Sequence, residues 1–93
     1  MADPGATARH LIVHGRVQGV FYRDWTVQTA RSLGLAGWVR NLPDGTVEAH
    51  IEGDCATVER MIEAMRSGPP RAAPTHIDSD LTDFEAFSSF ERR

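Results

Sequence analysis

The spacing of hydrophobic and polar positions changes several times along the chain, and each change predicts a new element. Residues 9–14 are rich in β-forming side chains and stop at Gly15, which predicts a strand. Over residues 22–33 the apolar positions recur at helical spacing instead. Gly34 follows in the place of a helix-ending glycine. The first third of the chain therefore predicts a strand, a glycine-containing loop and a helix.

The middle of the chain has the pattern of a β-hairpin. Ala36–Asn41 predicts one strand and residues 46–52 predict its partner. The Pro-Asp-Gly sequence at residues 43–45 favours a turn, because proline sets φ early and the glycine supplies a positive φ. Along the second strand apolar residues alternate with polar ones. This alternation predicts one buried face and one solvated face, with Glu48 and Glu52 on the solvated side.

A second helix and further strands are predicted for the last part of the chain. Asp54 is a natural N-cap for that helix. Its apolar stripe, spaced i, i+3, i+4 and i+7, consists of Val58, Met61, Ile62 and Met65. The Gly-Pro-Pro sequence at residues 68–70 ends the helix. Residues 76–81 then predict a weak fourth strand, and a last short strand is expected near residues 87–92.

The order strand, helix, strand, strand, helix, strand is that of the ferredoxin-like, or split βαβ, arrangement. We therefore expect an α+β protein with a ferredoxin-like βαββαβ fold, in which an antiparallel sheet carries two helices on one face. The length of 93 residues suits one small domain. Residues 1–8 are expected to form a flexible N-terminal tail, and residues 9–93 a single domain.

Composition limits the class of protein further. A net charge of −3 argues against nucleic acid as a partner, because affinity for a phosphate backbone comes from clustered Lys and Arg. The single cysteine, Cys55, cannot form an intrachain disulfide, so a cytoplasmic location is expected for so small a domain. No apolar run is long enough to span a membrane, and nothing suggests a large apolar interface, so we expect no membrane partner and a monomer.

The segment GRVQGVFYR, residues 15–23, combines three features that favour an anion. Gly15 and Gly19 allow the backbone to curl tightly, and a curled run of N–H groups can surround an anion. The loop leads into a helix N-terminus, the positive end of the helix dipole. Arg23, in the first turn, can fold back to bind an oxyanion with two hydrogen bonds. Spacing alone leaves open that the glycines only form a turn and that the arginine is only solvated.

The same segment resembles the signature of the acylphosphatase family. Residues 33–53, LGLAGWVRNLPDGTVEAHIEG, are similar to the second signature of that family, and residues 67–72, SGPPRA, resemble its usual stop after the second helix. The resemblance runs from about residue 9 to the C-terminus and keeps the three segments in order. It implies a ferredoxin-like fold and the hydrolysis of acyl phosphates to a carboxylate and inorganic phosphate, with no cofactor and no metal. A small-molecule acyl phosphate is thus the expected partner.

The resemblance also implies which residues act. Arg23 would bind the phosphoryl group, and Asn41 would position the attacking water. The backbone of the loop would surround the phosphoryl oxygens through Arg16, Val17, Gln18, Gly19, Val20 and Phe21. This set suits an activated anhydride, because a carboxylate leaves without a strong general acid. The reaction mainly requires positioning and stabilisation of charge on the phosphoryl oxygens.

Two positions depart from the usual family signature. Phe21 stands where a smaller residue is common, and Tyr22 stands where a phenylalanine is common. Phe21 is therefore expected to shape the pocket for the acyl group.

The four histidines are scattered along the chain. Two of them lie on one face of the first strand, but without a third ligand they are only a weak signal for a metal site, so no metal is expected.

Two other functional classes stay open at this point. A non-catalytic anion-binding or regulatory domain can use the same scaffold, since a fold does not fix a function. RNA-recognition modules share the strand order, but they present aromatic side chains on central strands for base stacking. Residues 46–52 contain no Phe, Tyr or Trp, and carry Glu48 and Glu52 instead.

Overall fold

The computed structural model describes residues 5–93. Its elements, in chain order, are β1 (Ala6–Arg16), α1 (Tyr22–Ser32), β2 (Ala36–Asn41), β3 (Val47–Asp54), α2 (Cys55–Met65), β4 (Ala73–Leu81) and β5 (Phe90–Arg92). The five strands form one sheet in the order β4-β1-β3-β2-β5, and both helices pack on it through a shared apolar core. The predicted ferredoxin-like α+β fold is confirmed.

The sheet is mixed, whereas the sequence predicts an antiparallel sheet. β1 pairs antiparallel with β3 and with β4, and β2 pairs antiparallel with β3. β5, however, pairs parallel with β2. The reason is the path of the chain: residues 82–89 lead from β4 at one edge to β5 at the other, and β5 then runs in the direction of β2. We call residues 82–89 the crossing segment.

The first strand is longer than the predicted strand at residues 9–14. It begins at Ala6, because residues 6–8 pair with residues 52–54 of β3. This part of the expected N-terminal tail is therefore strand, while residues 1–4 lie outside the described residues.

At its other end β1 continues past Gly15 to Arg16, through a bulge in its pairing with β4. Gly15 adopts a φ of 110° there. A Cβ atom on residue 15 would lie 2.4 Å from the backbone oxygen of Ala73, so the bulge requires glycine. The predicted end of the strand is thus a bend within it, and the loop begins after Arg16.

Each helix buries one face, and in α2 this face is the apolar stripe that the sequence predicts. In α1 the buried residues are Tyr22, Thr26, Val27 and Ala30, and in α2 they are Val58, Met61, Ile62 and Met65. Gly34, with a φ of 72°, follows the end of α1, and the Asp54 carboxylate caps α2 by accepting a hydrogen bond from the Thr57 N–H at 3.1 Å. Neither helix is long and apolar enough to cross a membrane.

Glu52 is buried on the face of the sheet opposite the helices, where the sequence predicts a solvated residue. Only 6% of its side chain is exposed, because the crossing segment covers it. Its carboxylate accepts hydrogen bonds from the backbone N–H groups of Glu85 and Phe87 and lies 2.7 Å from Nε2 of His50. The prediction was wrong because strand alternation identifies the second face but not what covers it.

We expect Glu52→Gln to lower the free energy of unfolding by about 1–3 kcal/mol at pH 7, because the substitution removes the charge of a carboxylate that accepts several hydrogen bonds. Burial raises the pKa of Glu52, but hydrogen bonds from Glu85 and His50 outweigh it, so that the pKa lies below its usual value. The stabilisation by the wild-type carboxylate is therefore complete above the usual glutamate pKa and is lost as the pH falls through the lower folded value.

Urea denaturation at pH 7 and below pH 4 measures this difference. The exposed Glu63, which pairs with Arg66 at the end of α2, provides the control substitution Glu63→Gln, and its expected effect is below about 1 kcal/mol. A Glu52→Gln effect that is equal at both pH values would contradict the role given to the carboxylate charge.

Candidate active site

A cleft of about 270 Å³ opens where the loop after β1 meets the end of β2. Its lining residues come from three parts of the chain: Val17, Gly19, Phe21, Tyr22, Arg23 and Asp24 from the loop and α1, Asn41 from β2, and Arg92 from β5. The fold therefore places the two predicted catalytic residues, Arg23 and Asn41, in one cleft.

Residues 17–21 form the loop at the base of this cleft. The side chains of Val17 and Val20 are buried in the core and hold the loop from below. Gly19 and Phe21 both adopt left-handed conformations, with φ values of 71° and 65°. Within residues 5–93, the backbone N–H groups of residues 18–21 donate no hydrogen bond to the protein. Such a run of unpaired donors is suited to an anion.

The N-terminus of α1 adds further donors to the loop. Its N-cap residue is Phe21, whose side chain offers no hydrogen-bond acceptor, in contrast to the Asp54 cap of α2. Because no side chain caps α1, its first N–H groups keep their capacity to bind an anion. The one acidic residue in its first turn, Asp24, is paired with Arg92 at 2.9 Å.

Arg23 projects from the first turn of α1 beside the cleft. Its Nη1 donates a hydrogen bond to the backbone oxygen of Arg93 at 3.1 Å. Arg93 is itself fixed, since its N–H donates to the Val39 oxygen at 2.8 Å and its guanidinium lies 4.7 Å from the centre of the Trp38 ring. A guanidinium has five N–H donors, so Arg23 keeps several for a bound anion.

Asn41 ends β2 at the opposite wall of the cleft. Its side-chain oxygen Oδ1 is buried, yet it accepts no hydrogen bond from the described part of the chain. A buried acceptor without a donor costs free energy, so this position favours a water molecule or a ligand that can donate. The signal cannot be seen in the sequence, where an asparagine before a turn is usually a turn residue.

The structure brings together five of the eight predicted site residues, namely Arg23, Asn41, Val17, Gly19 and Phe21. The other three do not line the cleft. Arg16 is the last residue of β1 and is exposed opposite Ala73, and Val20 is buried in the core. The side chain of Gln18 turns to the β2–β3 hairpin and contacts it. The roles of these residues stay predictions.

Phe21 and Tyr22 have opposite environments. The Phe21 side chain is 69% exposed at the mouth of the cleft. The Tyr22 side chain is buried, and its hydroxyl donates a hydrogen bond to the Met65 oxygen at 2.7 Å. Burial raises the pKa of Tyr22 above its usual value. Tyr22 is therefore part of the packing between the helices, and of the two only Phe21 can contact an acyl group outside the cleft.

Sequence reasoning missed Asp24 and Arg92 at this site. Arg92 reaches the cleft only because β5 pairs parallel with β2, which places residues 90–92 opposite residues 37–39. No pattern in the sequence predicts this pairing, since β5 has only three residues.

The four histidines contact carboxylates, and no metal site is formed in the described part of the chain. The pairs are His10 with Glu48, His14 with Asp78, His76 with Asp78, and His50 with Glu52. Within residues 5–93, no group of three or more His, Cys, Asp or Glu side chains could hold a metal ion.

Comparisons of sequence and of structure both find acylphosphatases as relatives of this chain. The family model described as acylphosphatase matches residues 9–91. An acylphosphatase of Acidiphilium cryptum is 51% identical over 86 residues, which cover 92% of this chain and 94% of that protein. One from Acaryochloris marina is 46% identical over 95% of both chains. The solved structure of an acylphosphatase from Coxiella burnetii superimposes with a TM-score of 0.92 at 36% identity, over 96% of this chain and 94% of that one.

The fold and these relatives together define a hydrolase with a ferredoxin-like fold. The chain belongs to the acylphosphatase family. Hydrolysis of acyl phosphates is the activity that this membership supports.

Proposed function

We propose that this protein hydrolyses carboxyl-phosphate mixed anhydrides to a carboxylate and inorganic phosphate, without a metal ion, by direct attack of water on phosphorus. The observation that carries this proposal is the buried Oδ1 of Asn41, which has no donor within residues 5–93, in the cleft that Gly19, Phe21 and Arg23 also line. Such a hydrolysis needs, in the same cleft, a hydrogen-bond acceptor for the attacking water and hydrogen-bond donors for the phosphoryl oxygens.

The phosphoryl group binds to the loop and to Arg23. Backbone N–H groups and a guanidinium stabilise the charge that spreads over the phosphoryl oxygens in the transition state. Because these groups are held by the core valines and by the start of α1, they need little rearrangement when charge develops. We assign the binding role to the N–H groups of residues 16–21.

Asn41 orients the attacking water by accepting one of its hydrogens at Oδ1. An amide is a poor base, so its contribution is orientation of the water rather than removal of its proton. As the new bond from the water oxygen to phosphorus forms, the bond from phosphorus to the acyl oxygen breaks and the carboxylate leaves with the electron pair. The water proton passes to solvent after attack, and the leaving carboxylate needs no proton.

Turnover by the wild-type protein tests this proposal. We expect phosphate release from acetyl phosphate and benzoyl phosphate, at the same rate with and without a chelator. A phosphate monoester such as p-nitrophenyl phosphate is expected to react far more slowly, because its leaving group is harder to expel and the Asp24 carboxylate that lines the cleft is held by Arg92. Absence of turnover on every acyl phosphate, or a rate that collapses with chelator, would refute the proposal.

The two alternatives predict different results in the same assay. A non-catalytic anion-binding domain would bind phosphate and release no product. An RNA-binding module needs an open sheet face for base stacking. Here Phe87 of the crossing segment covers part of that face and packs edge-on against the His50 ring, with 5.3 Å between the ring centres. No observation therefore favours RNA as the ligand.

A further inference from the structure

The side chain of Gln18 joins the anion-binding loop to the β2–β3 hairpin. Its Nε2 donates hydrogen bonds to the backbone oxygens of Leu42 and Thr46, each at 2.8 Å. These residues lie 24 and 28 positions away in sequence, so the contact links separate parts of the chain. The structure contains this link beside the cleft, but the loop prediction concerned only the backbone of Gln18.

The hairpin keeps its own shape without Gln18. The Leu42 N–H donates to the Thr46 oxygen at 2.9 Å, and the Gly45 N–H donates to the Leu42 oxygen at 3.2 Å. The Asp44 carboxylate accepts hydrogen bonds from the hydroxyl and the N–H of Thr46, at 2.6 and 2.9 Å. What the Gln18 amide adds is therefore the position of the hairpin relative to the loop.

The two acceptor residues, Leu42 and Thr46, each adjoin one member of the sheet pair that contains Asn41. Leu42 directly follows Asn41, and Thr46 directly precedes Val47, which is the partner of Asn41 in the sheet. On the other side, Gln18 lies between the buried Val17 and the left-handed Gly19. One side chain thus fixes the separation between the anion-binding N–H groups and the Asn41 carboxamide.

The geometry also excludes a direct contact of this side chain with the substrate anion. A glutamine carboxamide has two N–H donors, and the two carbonyl oxygens of the hairpin use both. Its remaining polar atom is an oxygen, which repels a phosphoryl oxygen.

We propose that Gln18 is a positioning residue that sets the distance between the bound phosphoryl group and the water held by Asn41. This inference rests on the function proposed above. Misplacing a reacting group by about 1 Å can cost about a hundredfold in rate. Loss of the link is therefore expected to lower kcat while leaving the affinity of the loop for phosphate almost unchanged.

The test compares Gln18→Met and Gln18→Glu with the wild type. Methionine keeps the length of the side chain but removes both donors, and glutamate places a carboxylate against the two carbonyl oxygens. We expect kcat to fall about 10- to 100-fold in Gln18→Met and further in Gln18→Glu. The inhibition constant for inorganic phosphate in Gln18→Met should stay within about threefold of wild type, because the loop N–H groups are intact. The exposed Gln28 of α1 provides the matched control, Gln28→Met, which should leave both constants unchanged.

A second readout does not depend on turnover. In wild type, bound phosphate should shift the NMR signals of the residue 18–21 amides and of the Asn41 carboxamide. In Gln18→Met the loop shifts should remain and the Asn41 shift should shrink. An unchanged kcat in folded Gln18→Met, a parallel loss of kcat and phosphate affinity, or an Asn41 shift equal to that of wild type would overturn the proposal. A wild type without turnover refutes the proposed reaction, and the NMR comparison still decides whether Gln18 positions Asn41.

Discussion

Replacing Arg23 with alanine is expected to lower kcat/KM for acetyl phosphate at least about a thousandfold. The guanidinium is a cationic donor group of the cleft, which Gly19 and Phe21 of the loop also line, and the N–H groups of residues 18–21 donate no hydrogen bond within residues 5–93. An arginine that stabilises the transition state of phosphoryl transfer contributes about 10³- to 10⁵-fold. Steady-state phosphate release with purified Arg23→Ala measures the loss.

Two further variants separate geometry from charge. Arg23→Lys keeps the positive charge but loses the planar fork of donors, so it should recover only a small part of the rate. Arg60 is exposed on α2, and Arg60→Ala should leave kcat/KM unchanged. The only described protein acceptor of the Arg23 side chain is the Arg93 oxygen, so the free energy of unfolding of Arg23→Ala should fall by about 1 kcal/mol at most. If Arg23→Ala keeps more than about a tenth of the wild-type rate, Arg23 does not bind the phosphoryl group as proposed.

Replacing Asn41 with alanine should lower kcat about a hundredfold or more, with little change in the inhibition constant for inorganic phosphate. A group that orients the water acts on the chemical step, and removal of a single positioned hydrogen-bonding group typically costs about 10²- to 10³-fold in kcat. Turnover and phosphate inhibition, measured on the same preparation, distinguish this result from a general loss of the site.

Stability measurements give an independent check on Asn41. Because its Oδ1 is buried without a donor from residues 5–93, Asn41→Ala removes a buried polar atom that no described group pairs, and the free energy of unfolding should change little. Asn41→Asp keeps an oxygen acceptor but adds a negative charge, and it should weaken phosphate inhibition by repulsion. A large drop in stability for Asn41→Ala would instead identify Asn41 as a structural residue of the β2–β3 hairpin.

Elements with a local signal could be predicted from the sequence. The α2 helix has an N-cap, a four-residue apolar stripe and a Gly-Pro-Pro stop, and each of these acts within one helix. β2 has the predicted bounds, Ala36–Asn41, because the turn that follows it is encoded by proline and glycine. The prediction that Arg23 and the loop form an anion site also has a local signal, since its features lie within nine residues, and the structure places Arg23, Gly19 and Phe21 at one cleft.

Features that depend on distant parts of the chain could not be predicted. β1 begins at Ala6 only because the end of β3 pairs with it, and Glu52 is buried only because the crossing segment passes over it. Arg92 lines the cleft because β5 pairs parallel with β2, and a strand of three residues is too short for its sequence to predict that pairing. Even the prediction of Asn41 as a site residue came from the family resemblance, because the lack of a described donor for its buried oxygen is a property of the folded structure.

The strand order has a consequence for the rate at which the cleft can form. β1 finds its partners in β3 and β4, so both of its ladders join segments that are far apart in sequence. Closing such long loops costs conformational entropy before strand pairing can offset it. Proteins with many distant pairings therefore fold more slowly than helical proteins of similar size. Arg23 and the Arg93 oxygen that it contacts are 70 residues apart, so the complete cleft requires contacts between distant parts of the chain.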